Sequence, residues 1–394
     1  MNESQSTATA WRRRMVARVA DERHRTATAL ELFFDLCFVV AVAQTSAAFE
    51  HELAGGHVGR GILGYGFVFF AIWWAWMNFT WFASAYDTDD IPYRLLTVVQ
   101  ITGALVMSAG TAAALQHGDY TIITWGYVLM RLAMVSQWLR AARADPERRR
   151  TCLRYAFGIL AVQIGWLANL ALPEDVRFGA HLVLVLGELC VPVWAERATR
   201  TTWHPRHIAE RYGLFTLIVL GESITAAAGA VRAALDTDAT FGDIATLVLG
   251  GTLTVFALWW LYFAQNASRR LNSFTTAMLW SYGHYAVFAS AAAVGAGLAV
   301  NVAHTTGHGH LTDHAAAATY TIPVAAFIMC VWLLHRRAVE RLSAFDVVHA
   351  LAVLAILAAV FTPAPVLVSG VVAALLIAAT VVLGDRGPAG APAR

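Results

Sequence analysis

The sequence predicts an all-α fold, namely a polytopic membrane helix bundle with about twelve transmembrane helices. Hydrophobic residues make up 58% of the 394 residues, charged residues make up 14%, and the mean hydropathy is +0.56. This composition excludes an ordinary soluble domain. The apolar segments are each roughly 18 residues or longer, which is enough to cross a bilayer. In chain order they lie near residues 30–49, 61–82, 93–115, 120–140, 152–172, 178–196, 210–231, 243–265, 277–300, 315–335, 345–362 and 364–384.

An arginine-rich arm, residues 1–29, precedes the first segment and lacks the apolar core of a cleavable signal peptide. Trp11, Met15 and Val19 stand at helical spacing in this arm. That spacing predicts either a short helix resting on lipid headgroups or a disordered basic tail. At the other end of the chain, the weakest division between two segments is at Thr362-Pro363-Ala364-Pro365, where proline interrupts a long apolar stretch.

Arginine supplies all 28 basic residues of the chain. If the N-terminus is cytoplasmic, every arginine except Arg60, Arg131, Arg177 and Arg232 falls on the cytoplasmic side. Cytoplasmic loops of membrane proteins carry an excess of basic residues, so both termini are expected in the cytoplasm and the number of spans is expected to be even. The composition, without lysine and rich in alanine and arginine, indicates a bacterial plasma membrane protein. Its expected partner is the lipid bilayer and not nucleic acid, because the arginines lie beside the membrane; the oligomeric state stays open.

The chain is also predicted to contain an internal repeat. Phe70-Ala71-Ile72-Trp73-Trp74 in the second span matches Phe256-Ala257-Leu258-Trp259-Trp260 in the eighth. An even number of spans in each repeat makes the two repeats parallel, as in some transporters. The predicted divisions are the basic arm at 1–29, a first six-helix repeat at 30–196, a cytoplasmic loop at 197–209, a second six-helix repeat at 210–384 and a cytoplasmic tail at 385–394.

Three charged residues lie about ten residues inside long apolar segments: Arg131, Glu188 and Glu222. At about 1.5 Å per residue, each is about 15 Å deep, near the middle of a hydrocarbon core about 30 Å thick. Charges at that depth usually face one another or a wet cavity and serve a function. One arginine can neutralise one carboxylate and leave the other to titrate, as an ion-coupled carrier requires. The alternative is a static buried network that fixes helix packing.

Two further acids, Glu31 and Asp35, are four residues apart and therefore share one face of the first span. Like charges at that spacing predict a proton or cation site at the inner mouth of the bundle. For Glu31 the alternative is that the acid only complements the dipole at a helix N-terminus. For Asp35 the alternative is a buried ion pair.

His207 and Glu210 are one turn apart on a helix that Pro205 is expected to begin. Such a pair could relay a proton or hold a metal, but two ligands are too few to define a metal site, and no resident metal is expected. The structural alternative is an ion-pair cluster in which Glu210 complements the helix dipole and Arg211 is its partner.

The remaining chemistry-bearing residues indicate neither an enzyme nor a cofactor. The chain contains no catalytic Ser-His-Asp, phosphate-binding or dinucleotide-binding motif. A loop expected on the outer side contains four histidines, which predict either a metal- or pH-sensitive site or simply a solvated loop. These histidines are His304, His308, His310 and His314. The four cysteines are isolated from one another, so no disulfide framework is expected.

Two segments of the chain read as sequence signatures. The first runs from Glu31-Leu32-Phe33-Phe34-Asp35 to Val39, with Gln44 following. The second contains His207, Glu210 and Arg211 and continues to Val219-Leu220-Gly221-Glu222-Ser223. Both resemble the signatures of the bacterial low temperature requirement A family, and the resemblance covers essentially the whole chain. It implies a polytopic helical membrane protein and no family-wide substrate or reaction.

The leading functional hypothesis is an ion-coupled secondary transporter of a small solute or ion, because a repeat with carboxylates at the membrane midplane suits alternating access. The alternatives are a cation channel and a non-transporting membrane sensor or accessory protein. A carrier should lose activity when Glu188 or Glu222 is replaced, whereas a binding module should tolerate the change.

Overall fold

The computed structural model describes residues 11–18, 26–235, 241–265, 267–336 and 343–385. Within these residues the chain forms α-helices and no β-strand, which confirms the predicted all-α fold. The helices are α1 (Ala29–Ala54), α2 (Val58–Tyr86), α3 (Ile91–Ala109), α4 (Thr111–His117), α5 (Thr121–Ala144), α6 (Arg149–Leu170), α7 (Glu174–Glu196), α8 (Pro205–Leu235), α9 (Phe241–Phe263), α10 (Phe274–Thr305), α11 (Asp313–His335), α12 (Ala344–Ala358) and α13 (Pro365–Asp385).

Each of the predicted apolar segments corresponds to one helix, or to a pair of helices in line. In the described part of the chain, 11 helical segments are long and apolar enough to cross a membrane, with α3 and α4 forming one of them. The remaining long helix, α5, has 24 residues but is less apolar, since polar residues such as Arg131 and Gln137 interrupt it. The protein is therefore a multi-pass helical membrane protein.

Short polar residues define several helix ends. Asp90 caps α3, because its Oδ1 accepts the backbone N–H of Tyr93 at 2.9 Å. Ser343 and Asp346 form a reciprocal capping box at the start of α12. The predicted weak division is confirmed as two separate helices, since α12 ends at Ala358 and α13 begins at Pro365.

The N-terminal arm is not a helix in the part that the structure describes. Residues 11–18 run without helical hydrogen bonds, and Met15 is only 2% exposed. The backbone N–H of Arg13 donates to Asp90 Oδ2 at 2.9 Å. Both predictions for this part of the arm, a helix on headgroups and a disordered tail, are therefore wrong. The third residue of the predicted helical face, Val19, lies outside the described residues.

The chain divides into two compact units whose boundaries fall inside helices. Unit one comprises Met1–Ala41 and Phe70–Arg211, and unit two comprises Val42–Phe69 and Tyr212–Arg394. The predicted duplication into residues 30–196 and 210–384 stays a prediction.

Aromatic side chains and close helix contacts build the core of unit one. Trp73, Trp74 and Trp76 are each at most 1% exposed. Helices α3 and α5 approach closely at two glycines, where a Cβ at Gly126 would lie 2.6 Å from the carbonyl oxygen of Gly103. A larger residue at either position would force the two backbones apart.

In unit two, α10 packs against α11, and α9 packs against α13. Helix α8 approaches α10 where Gly295 leaves room, because a Cβ there would lie 2.9 Å from the Cα of Ser223. Ser223 Oγ also donates to the carbonyl oxygen of Ala291 at 2.9 Å. These contacts fix the part of α8 that contains Glu222, the residue before Ser223.

Candidate functional site

The first group of charges, the α1–α8 cluster, consists of Glu31, Asp35, His207 and Arg211 in unit one. Arg211 binds Asp35 through two parallel hydrogen bonds, from Nε to Oδ2 at 2.8 Å and from Nη2 to Oδ1 at 2.5 Å. Trp76 Nε1 donates to the same Oδ1 at 2.6 Å. Both charged side chains are at most 1% exposed. Asp35 is therefore a buried ion pair of the bidentate kind that positions two helices tightly.

Glu31 completes the cluster and also caps its own helix. Its Oε1 lies 3.1 Å from Arg211 Nη1 and 3.0 Å from His207 Nε2. Its Oε2 accepts the backbone N–H of Thr28 at 2.7 Å, and Thr28 Oγ1 accepts the backbone N–H of Glu31 at 3.3 Å. This reciprocal pair is a capping box at the start of α1. Glu31 therefore caps helix α1 and at the same time belongs to the buried charge cluster.

The predicted pairing of Glu210 with His207 and Arg211 is wrong. His207 and Arg211 both face the acids of α1. Glu210 is half-exposed, and the described residues offer it no hydrogen bond or ion pair. On α8, residues 207 and 211 are four apart and share the face that contacts Glu31 and Asp35. The structure therefore places His207 against Glu31 rather than in a pair with Glu210.

The second group, the Glu188 site, also lies in unit one. Arg131 Nη2 pairs with Glu188 Oε2, which confirms the expected pairing of Arg131 with an intramembrane acid. Trp74 Nε1 donates to the same oxygen at 2.8 Å. Glu188 Oε1 accepts from Tyr127 Oη at 2.9 Å and from Trp166 Nε1 at 3.2 Å.

Burial and aromatic packing make the Glu188 site a closed structure. Arg131 and Glu188 are 3% and 1% exposed in their side chains. The guanidinium also lies over the Tyr127 ring, 4.6 Å from its centroid, in a cation–π contact. With one compensating charge and three neutral donors, the carboxylate has no unmet requirement. This geometry is the one expected of a static buried network.

Glu222 belongs to unit two and lines a cavity of about 560 Å³. The same cavity is lined by Glu50, near the end of α1, and both acids are half-buried. Neither acid forms a hydrogen bond or an ion pair with any of the described residues. Within the described chain, this acidic cavity, the space lined by Glu50 and Glu222, thus contains two carboxylates without an arginine partner.

Glu50 was not among the predicted site residues. The predicted first span ended at residue 49, which assigned Glu50 to a loop, whereas α1 continues to Ala54. The aromatic donors Trp74, Trp76, Tyr127 and Trp166 were missed as well, because an apolar stretch gives no indication of which indole faces a carboxylate.

The four-histidine loop shows no metal cage. In the described part of the chain, no group of three or more His, Cys, Asp or Glu side chains is arranged to hold a metal ion. His304 Nε2 lies 2.9 Å from Asp313 Oδ1, and His308 Nδ1 lies 3.2 Å from Thr306 Oγ1. The backbone N–H of His310 donates to the carbonyl oxygen of Ala54 at 3.1 Å, so the loop is tethered to the end of α1.

Known proteins resemble the chain along most of its length. The family model described as "Bacterial low temperature requirement A protein (LtrA)" matches residues 26–382. An uncharacterized protein of Rhizobium meliloti (strain 1021) is 28% identical over 277 residues, and this match covers 64% of the present chain and 64% of the relative's length. No solved structure matches the chain.

Proposed function

The chain belongs to the bacterial low temperature requirement A family of multi-pass membrane proteins, and we propose that it is an ion-coupled secondary transporter whose coupling carboxylate is Glu222. The proposal rests on a difference between the intramembrane acids of the two units. Glu188 and Asp35 are buried against arginine, whereas Glu222 lines an open cavity with no such partner among the described residues.

Electrostatics explain why this contrast matters. An acid inside a membrane span is costly and is retained where it serves a function. An acid that is already neutralised by arginine gains little from binding a proton or cation, because it would have to release its partner. Glu222 has no such competitor among the described residues and faces space in which a proton, ion or solute can reach it. It is therefore suited to exchange a coupling ion, while the paired acids hold helices together.

The position of Glu222 along α8 agrees with such a role. It is 13 residues from the helix end at Leu235, about 20 Å at 1.5 Å per residue. Glu50 is four residues from the end of α1 at Ala54, about 6 Å by the same measure. On the predicted topology both of these ends face outward, so the cavity extends from the outer side toward the middle of the membrane. An outward-facing state of an alternating-access carrier requires such a path.

Flux in reconstituted liposomes tests the proposal. With a pH-sensitive dye inside the vesicles, the wild-type protein should move protons in a saturable manner when a coupled solute is supplied. Glu222→Gln, which imitates the protonated acid, should insert normally and lose flux driven by a pH gradient. Glu174→Gln at the exposed first turn of α7 is the matched control and should retain it.

Three other results would reject the proposal. Equal flux by wild type and Glu222→Gln would remove Glu222 from the mechanism. Conductance without saturation or coupling would identify a cation channel. Absence of flux across a broad solute panel, in protein shown to be folded, would favour a sensor or accessory protein.

A further inference from the structure

The acidic cavity is more apolar and larger than a site for an inorganic ion needs to be. Residues of α1, α8 and α10 line it, and most of them are small and apolar, including Ala43, Ala47, Ala226, Ala296, Ala299 and Ala303. Its volume of about 560 Å³ lies within the range of about 300–1,000 Å³ that is usual for small-molecule sites. A bare cation would occupy a small fraction of this space.

One buried hydroxyl group points to a polar ligand in the same cavity. Ser46 lines it and is 4% exposed, yet its Oγ has no hydrogen-bond partner in the described chain. A buried hydroxyl without a partner is costly, so a ligand that supplies one is expected. The threonines of the cavity are different, because Thr225 Oγ1 and Thr306 Oγ1 already donate to the carbonyl oxygens of Gly221 and Ala303.

The polar lining fits a cation with N–H donors. The carboxylates of Glu50 and Glu222 and the hydroxyl of Ser46 are hydrogen-bond acceptors. A primary ammonium group has three N–H donors and a positive charge, and so complements both the number and the charge of these groups. No group of three or more His, Cys, Asp or Glu side chains that could hold a metal ion is found among the described residues.

We propose that the acidic cavity binds a small organic ammonium compound, with its charged nitrogen at Glu222, Glu50 and Ser46 and its hydrocarbon part against the alanine walls. This inference rests on the proposed function in one respect, since it names the class of solute that the transporter carries. Binding itself requires no transport. A further titratable group, His308, also lines the cavity.

Equilibrium binding to the purified full-length protein in detergent provides the test. The probes are n-butylammonium and tetramethylammonium chloride, followed by calorimetry and by the shift of the thermal unfolding midpoint. Potassium chloride at equal ionic strength controls for charge alone, and n-butanol controls for the apolar part. We expect saturable binding of at least one ammonium probe, tighter for n-butylammonium because only it can donate N–H groups to Ser46 and the acids. The two controls should not compete.

Variants locate the bound probe. Glu222→Gln and Glu50→Gln should each weaken n-butylammonium binding by about tenfold or more, as expected for loss of one opposing charge at contact distance. Ser46→Ala should weaken n-butylammonium and leave tetramethylammonium unchanged, and Glu174→Gln should change neither. The competition experiment uses only the wild-type protein, so it still tests the inference if one of the variants fails to fold.

Each outcome has one meaning. Failure of both probes to bind, binding of n-butanol with equal affinity, or displacement by potassium at similar concentrations would overturn the inference. So would unchanged affinity in both glutamine variants. Ammonium binding without any flux would support the site and reject the transporter. Proton-coupled flux without ammonium binding would reject only the solute class.

Discussion

Replacing Arg131 by leucine should strongly destabilise unit one, because Arg131 supplies the charge that compensates the buried Glu188 carboxylate. Glu188 accepts four hydrogen bonds, and only the one from Arg131 comes from a charged donor. Without the guanidinium, a carboxylate that is 1% exposed retains three neutral donors and no compensating charge. Breaking a buried pair from one side costs about 3–5 kcal/mol. We therefore expect Arg131→Leu to lower the free energy of unfolding by that amount.

The informative measurement is a double-mutant cycle. Glu188→Gln in the Arg131→Leu background removes the uncompensated charge, while the glutamine carbonyl can still accept from an indole or phenol. The double variant should recover at least about half of the loss, which is about 2 kcal/mol. The coupling energy should exceed this value, because Glu188→Gln alone leaves Arg131 buried without its carboxylate. Unfolding by sodium dodecyl sulfate in mixed micelles, followed by tryptophan emission and circular dichroism, gives the four free energies.

Arg143→Leu is the matched control, because Arg143 lies on the same helix and is exposed. Its effect should stay within about 0.5 kcal/mol, as for most surface changes. Additive effects of the two substitutions, or a double variant no better than the worse single variant, would refute the claim that the charges act as a pair.

Three further predictions follow from other parts of the molecule. Single cysteines at Thr306 and Arg148, in a cysteine-free background, should react with a membrane-impermeant thiol reagent from the outside and the inside respectively; the reverse pattern would contradict the predicted topology. Arg211→Lys should lower the free energy of unfolding by about 1–3 kcal/mol in the same micelle assay, because lysine cannot form the two parallel bonds to Asp35; wild-type stability would show that charge alone suffices. Asp90→Ala should release the N-terminal arm, so trypsin should cut at residues 12–18 at least several times faster than in wild type. An unchanged cleavage rate would show that other contacts hold the arm.

The apolar segments could be located from sequence because hydropathy is a local property. A run of apolar residues must be helical in a bilayer, since no water is present to satisfy its backbone groups. Even the weak division between α12 and α13 could be predicted, since Pro363 and Pro365 act on their immediate neighbours. The conformation of the N-terminal arm could not be predicted, because it depends on contacts with residues distant in the sequence. The helical spacing of Trp11 and Met15 is real, but burial of Met15 and the bond from Arg13 to Asp90 decide its conformation.

The charged residues show where sequence reasoning ends. Glu31 and Asp35 could be assigned to one face of α1 from their spacing alone, and both do contact Arg211. The choice of Arg211 as their partner could not be predicted, because it is 176 residues from Asp35 along the chain. Local spacing instead favoured Glu210, which the fold leaves half-exposed. Glu50 was lost at a helix boundary, the least reliable feature of any assignment from sequence.

The separation of Asp35 from Arg211 has a consequence for biogenesis. Helix α1 leaves the ribosome first, and 176 residues must follow before its guanidinium partner exists. At about 5–20 residues per second, that wait is about 9–35 s. An aspartate at the centre of an inserting helix costs about 3 kcal/mol at the translocon, and Asp35, the seventh residue of α1, costs part of that amount. The nascent first span should therefore be held at the insertion machinery, or shielded by a chaperone, until the start of α8 emerges. Ribosome-bound chains that stop before α8 should be the species that quality-control proteases remove most rapidly.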